Sequence, residues 1–128
     1  MEKIIRCLLV DDDIDDREIF LMTLTELGGH IRCRTAANGV EALHLLEAEH
    51  TEPPDFIFLD INMPRMNGLD CLRQLRKSDR FDNSGIFIYS TTAEPSLVEQ
   101  SKSLNAGFIV KPVRTSDLKE TLNSILNS

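Results

Sequence analysis

The stretch IIRCLLVDDDIDDREIFLMTLTELGG, residues 4–29, contains one complete change of periodicity. Its first seven residues form an apolar run of strand length that stops at charge. From Ile14 to Leu27 the apolar residues Ile19, Phe20, Leu24 and Leu27 recur at helical spacing, and two glycines end the segment. Between strand and helix lie five aspartates in six positions: Asp11, Asp12, Asp13, Asp15 and Asp16. Packed together without a countercharge they would repel one another, so some belong to a site and others to a solvated helix start. Asp15 and Asp16 fall in the first helical turn, where the peptide dipoles favour acids. They are read as solvated helix charges, and Asp13 is left between the two roles.

The same change from strand to helix repeats along the chain. HIRCRTA (30–36) alternates, with Ile31, Cys33 and Thr35 on one face, and NGVEALHLLEAE (38–49) reads as a second helix. PDFIFLD (54–60), aromatic and β-branched, is the most strand-like run, and NGLDCLRQLRK (67–77) puts Leu69, Leu72 and Leu75 on one helical stripe. SDRFDNSG (78–85) reads as a long polar connection, and IFIYS (86–90) as a fourth strand. Pro95 opens a fourth helix, with Leu97, Val98 and Leu104 as its core candidates. GFIV (107–110) is a fifth strand, and Leu118, Leu122, Ile125 and Leu126 mark an amphipathic closing helix. Five strands alternating with five helices through short connections predict an α/β fold, a doubly wound parallel sheet covered on both faces. One domain over residues 1–128 is expected, with no repeat, linker or room for a second domain.

Composition bounds the function. The chain has 128 residues, 41% hydrophobic and 27% charged, as an ordinary globular domain has. A net charge of -7 and the lack of a basic stripe argue against nucleic-acid binding. The N-terminal apolar run is too short for a signal peptide, and no segment approaches the roughly 18 apolar residues of a membrane span. Cys7, Cys33 and Cys71 lack metal-type spacing and read as reduced, mostly buried thiols, which favours the cytoplasm. His30, His44 and His50 share no metal spacing either and read as surface or cap residues.

In a doubly wound sheet, ligands bind outside the carboxyl ends of the strands. Asp11 and Asp12 follow the first strand, Asp60 ends the third, Ser90, Thr91 and Thr92 follow the fourth, and Lys111 follows the fifth. Carboxylates, hydroxyls and an amine thus converge on one rim. Three close carboxylates call for a cation, and hard oxygen ligands favour Mg²⁺ or Mn²⁺. A lysine and a hydroxyl suit the oxygens of a phosphoryl group, and one carboxylate is a candidate nucleophile.

In this order and spacing, LLVDDD, FIFLDINMPRMNG, IYSTTAE and GFIVKP resemble the receiver domain of two-component response regulators. The resemblance covers essentially the whole chain. It implies a CheY-like, flavodoxin-like sheet with strand order 2-1-3-4-5, acting without an output domain. It implies that Asp60 accepts a phosphoryl group from a sensor histidine kinase, with a histidine phosphotransfer protein as the partner to which the phosphate could be handed on. Asp12 would be the direct Mg²⁺ (or Mn²⁺) ligand, Asp11 would act largely through water, and Asn62 would lend its backbone carbonyl. Lys111 would pair with phosphate oxygens, across a Lys111–Pro112 bond expected to be cis. Ser90, thirty residues beyond Asp60, matches the switch hydroxyl. Phe108 occupies the aromatic switch position without the hydroxyl that tyrosine brings to many members. Asn62 and Thr92 flank the site and are candidates for tuning loss of the phosphate. Gly68 is read as structural, allowing the turn that starts the third helix. The implied product is a cytoplasmic signalling protein, monomeric or weakly dimeric, that catalyses only its own phosphorylation and dephosphorylation and either switches its affinity for a protein target or relays the phosphate.

Two other functions stand beside this one. A hydrolase of the haloacid-dehalogenase kind also uses an Asp nucleophile and Mg²⁺, but such enzymes usually carry a second acid where Asn62 stands. A receiver kept as a phosphorylation-independent binding module would not need the full set Asp11, Asp12, Asp60, Ser90 and Lys111.

Overall fold

The computed structural model describes residues 3–48 and 52–127, so His50 lies outside the described residues. The strands are β1 (Ile5–Val10), β2 (Ile31–Ala36), β3 (Phe56–Asp60), β4 (Gly85–Ser90) and β5 (Gly107–Val110). The helices are α1 (Ile14–Leu27), α2 (Gly39–Ala48), α3 (Gly68–Arg76), α4 (Pro95–Ser103) and α5 (Thr115–Leu126). All strand pairs are parallel and the order is β2-β1-β3-β4-β5, as expected from the sequence. None of the described helices is long and apolar enough to cross a membrane.

Alternation along each strand feeds two cores. Leu8 and Val10, Ile57 and Leu59, and Ile86 and Ile88 pack with Leu46 of α2 and Leu69, Leu72 and Leu75 of α3. Leu9, Phe58 and Tyr89 face the opposite layer, with Phe20 and Leu24 of α1 and Leu118, Leu122 and Leu126 of α5. Phe20 anchors that layer edge-on to Phe58 and Tyr89, at ring distances of 5.2 and 5.7 Å. Fully burying one such side chain contributes roughly 1.5–3 kcal/mol. Cys7 and Cys71 are buried, Cys33 is half-buried, all three are free, and burial pushes each thiol up to about 12.

The start of α1 is set by Asp13, the N-cap, whose Oδ1 accepts the Asp16 N–H at 3.0 Å. Gly28 stops the helix at φ +150°, and a Cβ there would stand 2.6 Å from the His30 ring. Its N–H closes the last turn on the Leu24 carbonyl.

Two regions differ from the sequence expectation. The polar connection after α3 holds a 3₁₀ turn, Asp79–Phe81, whose Phe81 is buried in the core. Phe81 is an isolated apolar residue without periodic neighbours, so its burial leaves no pattern in the chain. In α4 the core candidates Leu97, Val98 and Leu104 are only half-buried, and the buried residue is Ser101, which donates to the Leu97 carbonyl at 2.7 Å. Polar bonds from α3 hold this thinly packed helix. Arg76 donates to the carbonyls of Leu104, Asn105 and Phe81, and Arg73 donates to Gln100 Oε1.

Candidate functional site

The order 2-1-3-4-5 opens a crevice at the carboxyl ends of β1 and β3, where the connections part to opposite faces. Val10 lies opposite Leu59 in the β1–β3 ladder, so the next residues, Asp11 and Asp60, stand side by side. Single carboxylate oxygens of Asp11, Asp12 and Asp60 come within 4.8 Å of one another. Asp11 is wholly buried and Asp60 nearly so, whereas Asp12 is exposed at the rim.

Asp11 is held from every side. Its N–H donates to the Ala36 carbonyl, extending the ladder with β2, and Arg17 Nη1 donates to its own carbonyl at 2.7 Å. Its Oδ1 accepts the Asp13 N–H at 3.0 Å, and its Oδ2 accepts from Lys111 Nζ at 2.9 Å. Asp60 is freer: Oδ1 accepts a long 3.4 Å bond from the Asn62 N–H, and Oδ2 lies 3.5 Å from Lys111 Nζ. Burial lifts the Asp60 carboxyl to about 6; Lys111 opposes the shift and Asp11 adds to it.

Lys111 follows β5, and its N–H donates to the Ser90 carbonyl at 2.6 Å. Its side chain runs over the Tyr89 ring, with Nζ 5.2 Å from the centroid. Burial alone would lower its pKa, but the bonds it donates to Asp16 and Asp11 outweigh burial and hold the ammonium above the ordinary lysine range. The Lys111–Pro112 bond was expected to be cis, yet no described peptide bond is cis. A tertiary amide before proline still prefers trans by about 0.5–1 kcal/mol, and the lysine reaches Asp11 from that isomer.

Asp16 is the second correction. It was expected to be a solvated helix charge, yet its Oδ2 lies 2.9 Å from Lys111 Nζ. As a first-turn acid it carries no local signal that separates it from Asp15. Asp15 stays exposed as expected.

The remaining candidates lie at graded distances from the cluster. Ser90 is fully buried, and its Oγ accepts the Thr92 N–H at 3.3 Å. Asn62 and Thr92 are exposed and line a cavity of about 630 Å³, with Asp12, Met63, Glu94 and Leu97. Phe108 is half-buried on the other side of β5, packed at the margin of the α3 core. Gly68 touches the site by its backbone: a Cβ there would stand 2.3 Å from the Asp60 carbonyl oxygen. Asn67 caps α3 by accepting the Asp70 N–H, so this close approach falls at the first turn of the helix. His30 Nε2 lies 3.1 Å from Asn127 Oδ1, and His44 is exposed; neither approaches the acids.

The donor set fits a hard divalent cation. Asp11, Asp12 and Asp60 bring three carboxylates together, Lys111 Nζ pairs with two of them, and Arg17 engages a carbonyl instead of a carboxylate. A divalent ion with oxygen ligands would offset that excess.

Comparisons with known proteins agree with this geometry. Residues 7–123 match the family profile of the response regulator receiver domain. A chemotaxis protein CheY homolog of Campylobacter jejuni is 36% identical over 126 residues, covering 96% of this chain and 93% of the relative. Among solved structures, chemotaxis protein CheY4 of Vibrio cholerae superposes with a TM-score of 0.82 at 31% identity, covering 96% of this chain and 99% of the other. The CheY of a CheX–CheY–BeF₃–Mg²⁺ complex from Borrelia burgdorferi gives a TM-score of 0.80 at 30% identity, over 94% of this chain and 88% of that one.

Proposed function

The chain belongs to the response regulator receiver domain family, and from that premise we propose that Asp60 accepts a phosphoryl group in a reaction that needs Mg²⁺ or Mn²⁺. The observation that carries this reading is the setting of Asp60. It is a nearly buried carboxylate beside Asp11, its Oδ2 lies 3.5 Å from Lys111, and the rim acid Asp12 beside it lines an open cavity.

The donor is a phosphohistidine of a sensor kinase or a histidine phosphotransfer protein. An Asp60 carboxylate oxygen attacks the phosphorus; the P–O bond forms as the P–N bond breaks, and the electron pair returns to the donor imidazole. A cation held by Asp11, Asp12, Asp60 and the Asn62 backbone carbonyl would supply positive charge to the phosphoryl oxygens. Lys111 supplies a further charge from the opposite side. Ser90 Oγ accepts the Thr92 N–H through one lone pair, and its hydroxyl proton would be donated to a phosphoryl oxygen.

A Ser90 hydroxyl drawn to the phosphoryl group takes the 91–94 loop and the start of α4 with it. Thin packing makes α4 the element that responds, and Phe108 beneath it repacks by rotation alone, having no hydroxyl to bond. The face of α4, β5 and α5 then changes its affinity for a protein target, a shift between two populations. Asn62 and Thr92, beside the attack path, orient or exclude the water that ends the signal. The chain so read is a cytoplasmic signalling protein, and its chemistry is limited to gaining and losing its own phosphate.

Intact mass measured after incubation with Mg²⁺ and a small phosphodonor tests the acceptor. The wild type gains one phosphoryl group, and Asp60→Asn gains none. Equal gain by Asp60→Asn sinks the assignment, and steady turnover of a phosphate ester by the wild type points to the hydrolase instead.

A further inference from the structure

Lys111 has three ammonium hydrogens to give. Two are taken at 2.9 Å, by Asp11 Oδ2 and Asp16 Oδ2, while Asp60 Oδ2 at 3.5 Å lies outside good hydrogen-bond reach. The two anchors have different origins. Asp11 continues β1, is wholly buried, and has its other oxygen occupied by the Asp13 N–H. Asp16 comes from the first turn of α1, keeps 39% of its side chain exposed, and is fixed by its N–H bond to the Asp13 cap.

The lysine stem is long and has four rotatable bonds. Tied by Asp11 alone, it would pivot about that oxygen, outward to solvent or down onto Asp60. In the second position it would pair with the nucleophile before any donor arrives. A second anchor on another element removes both freedoms. We propose that Asp16 is a positioning residue for phosphoryl uptake: together with Asp11 it ties down two hydrogens of Lys111 and leaves the third directed to the side where a phosphoryl oxygen on Asp60 will sit. This role rests on the reading of Asp60 as the acceptor.

A charge-matched comparison tests it. Asp15 is an exposed neighbour in the same helical turn, so Asp15→Ala removes the same charge without the anchor. The first readout needs no phosphoryl chemistry: the side-chain ¹⁵Nζ ammonium resonance of Lys111, which held hydrogens make slow to exchange. It is expected in the wild type and in Asp15→Ala, and lost in Asp16→Ala. The second readout is titration with beryllofluoride in the presence of Mg²⁺. Asp16→Ala binds it about tenfold more weakly than Asp15→Ala, the scale of one charge-assisted hydrogen bond. Asp16→Asn keeps the side-chain shape and guards against a folding defect, with an effect in the same direction. Asp16→Glu restores the carboxylate and recovers part of both signals. Mg²⁺ affinity measured by calorimetry stays equal in the Asp15 and Asp16 variants.

An unchanged Lys111 resonance, or equal beryllofluoride affinity in Asp16→Ala and Asp15→Ala, overturns the role of Asp16 alone. A wild type that takes no beryllofluoride overturns the acceptor reading, and this role with it.

Discussion

Gly68 and Asp60 are in backbone contact: a Cβ on the glycine would stand 2.3 Å from the aspartate's carbonyl oxygen and 3.0 Å from its carbonyl carbon. Helix α3 therefore begins against the main chain that carries the proposed acceptor, and the Gly68 N–H bonds the Ile61 carbonyl at 3.2 Å. Gly68→Ala has to push one of two packed backbones away. We expect a loss of about 1–3 kcal/mol, the usual cost of overpacking, in urea unfolding, together with weaker Mg²⁺ binding as Asp60 shifts. An unchanged unfolding midpoint would show that α3 moves freely at this point.

Asp12 separates binding from folding. It is exposed, so Asp12→Asn should alter stability by no more than about 0.5 kcal/mol. Ligands that bind only the folded state raise its melting temperature. Added MgCl₂ should raise the Tm of the wild type in a saturable way and leave that of Asp12→Asn flat. A full Mg²⁺ response in the variant would remove Asp12 from the site.

Asp60 gives the fold a pH signature. Burial lifts its carboxyl from 3.8 to about 6, so the folded state holds this proton more tightly than the unfolded chain. Stability from this group is therefore full at low pH, falls as pH rises from about 4 to about 6, and stays reduced above. Asp60→Asn removes that cost. With a chelator present, the variant should exceed the wild type by roughly 1–3 kcal/mol at neutral pH and lose its advantage below pH 4. A constant difference across the range would contradict the raised value.

Arg76 of α3 holds three carbonyls at once, those of Leu104 and Asn105 just past the end of α4 and that of Phe81 in the 3₁₀ turn. An ammonium cannot span that fork, so Arg76→Lys should behave much like Arg76→Ala. Each should cost about 2 kcal/mol in urea unfolding, with faster hydrogen exchange at the α4–β5 junction. Full rescue by lysine would reduce the fork to a simple charge.

Much of the fold was legible because the signals that make strands and helices are local. The apolar run in IIRCLLV, the alternation in HIRCRTA and the leucine stripe of α3 each mark an element within a few residues, and the observed bounds fall within two residues of those read. Where apolar residues were sparse, the signal failed. Phe81 carries no period, and in α4 a serine takes the buried position while the leucines stay half-exposed.

The chain by itself determined the strand-end cluster. In a parallel sheet every strand points its carboxyl end the same way, so Asp11, Asp60, Ser90 and Lys111 had to share one rim once the alternation was read. The tertiary structure alone decided which acids that lysine binds. Asp15 and Asp16 are equivalent as first-turn acids, and a helix dipole does not distinguish them. The docking of the first turn of α1, capped by Asp13, beside the end of β5 brings the Asp16 carboxylate to 2.9 Å from Lys111 and leaves Asp15 in solvent. Phe20 of the same helix packs on Phe58 and Tyr89, a contact among three separate elements that no local pattern in the sequence encodes.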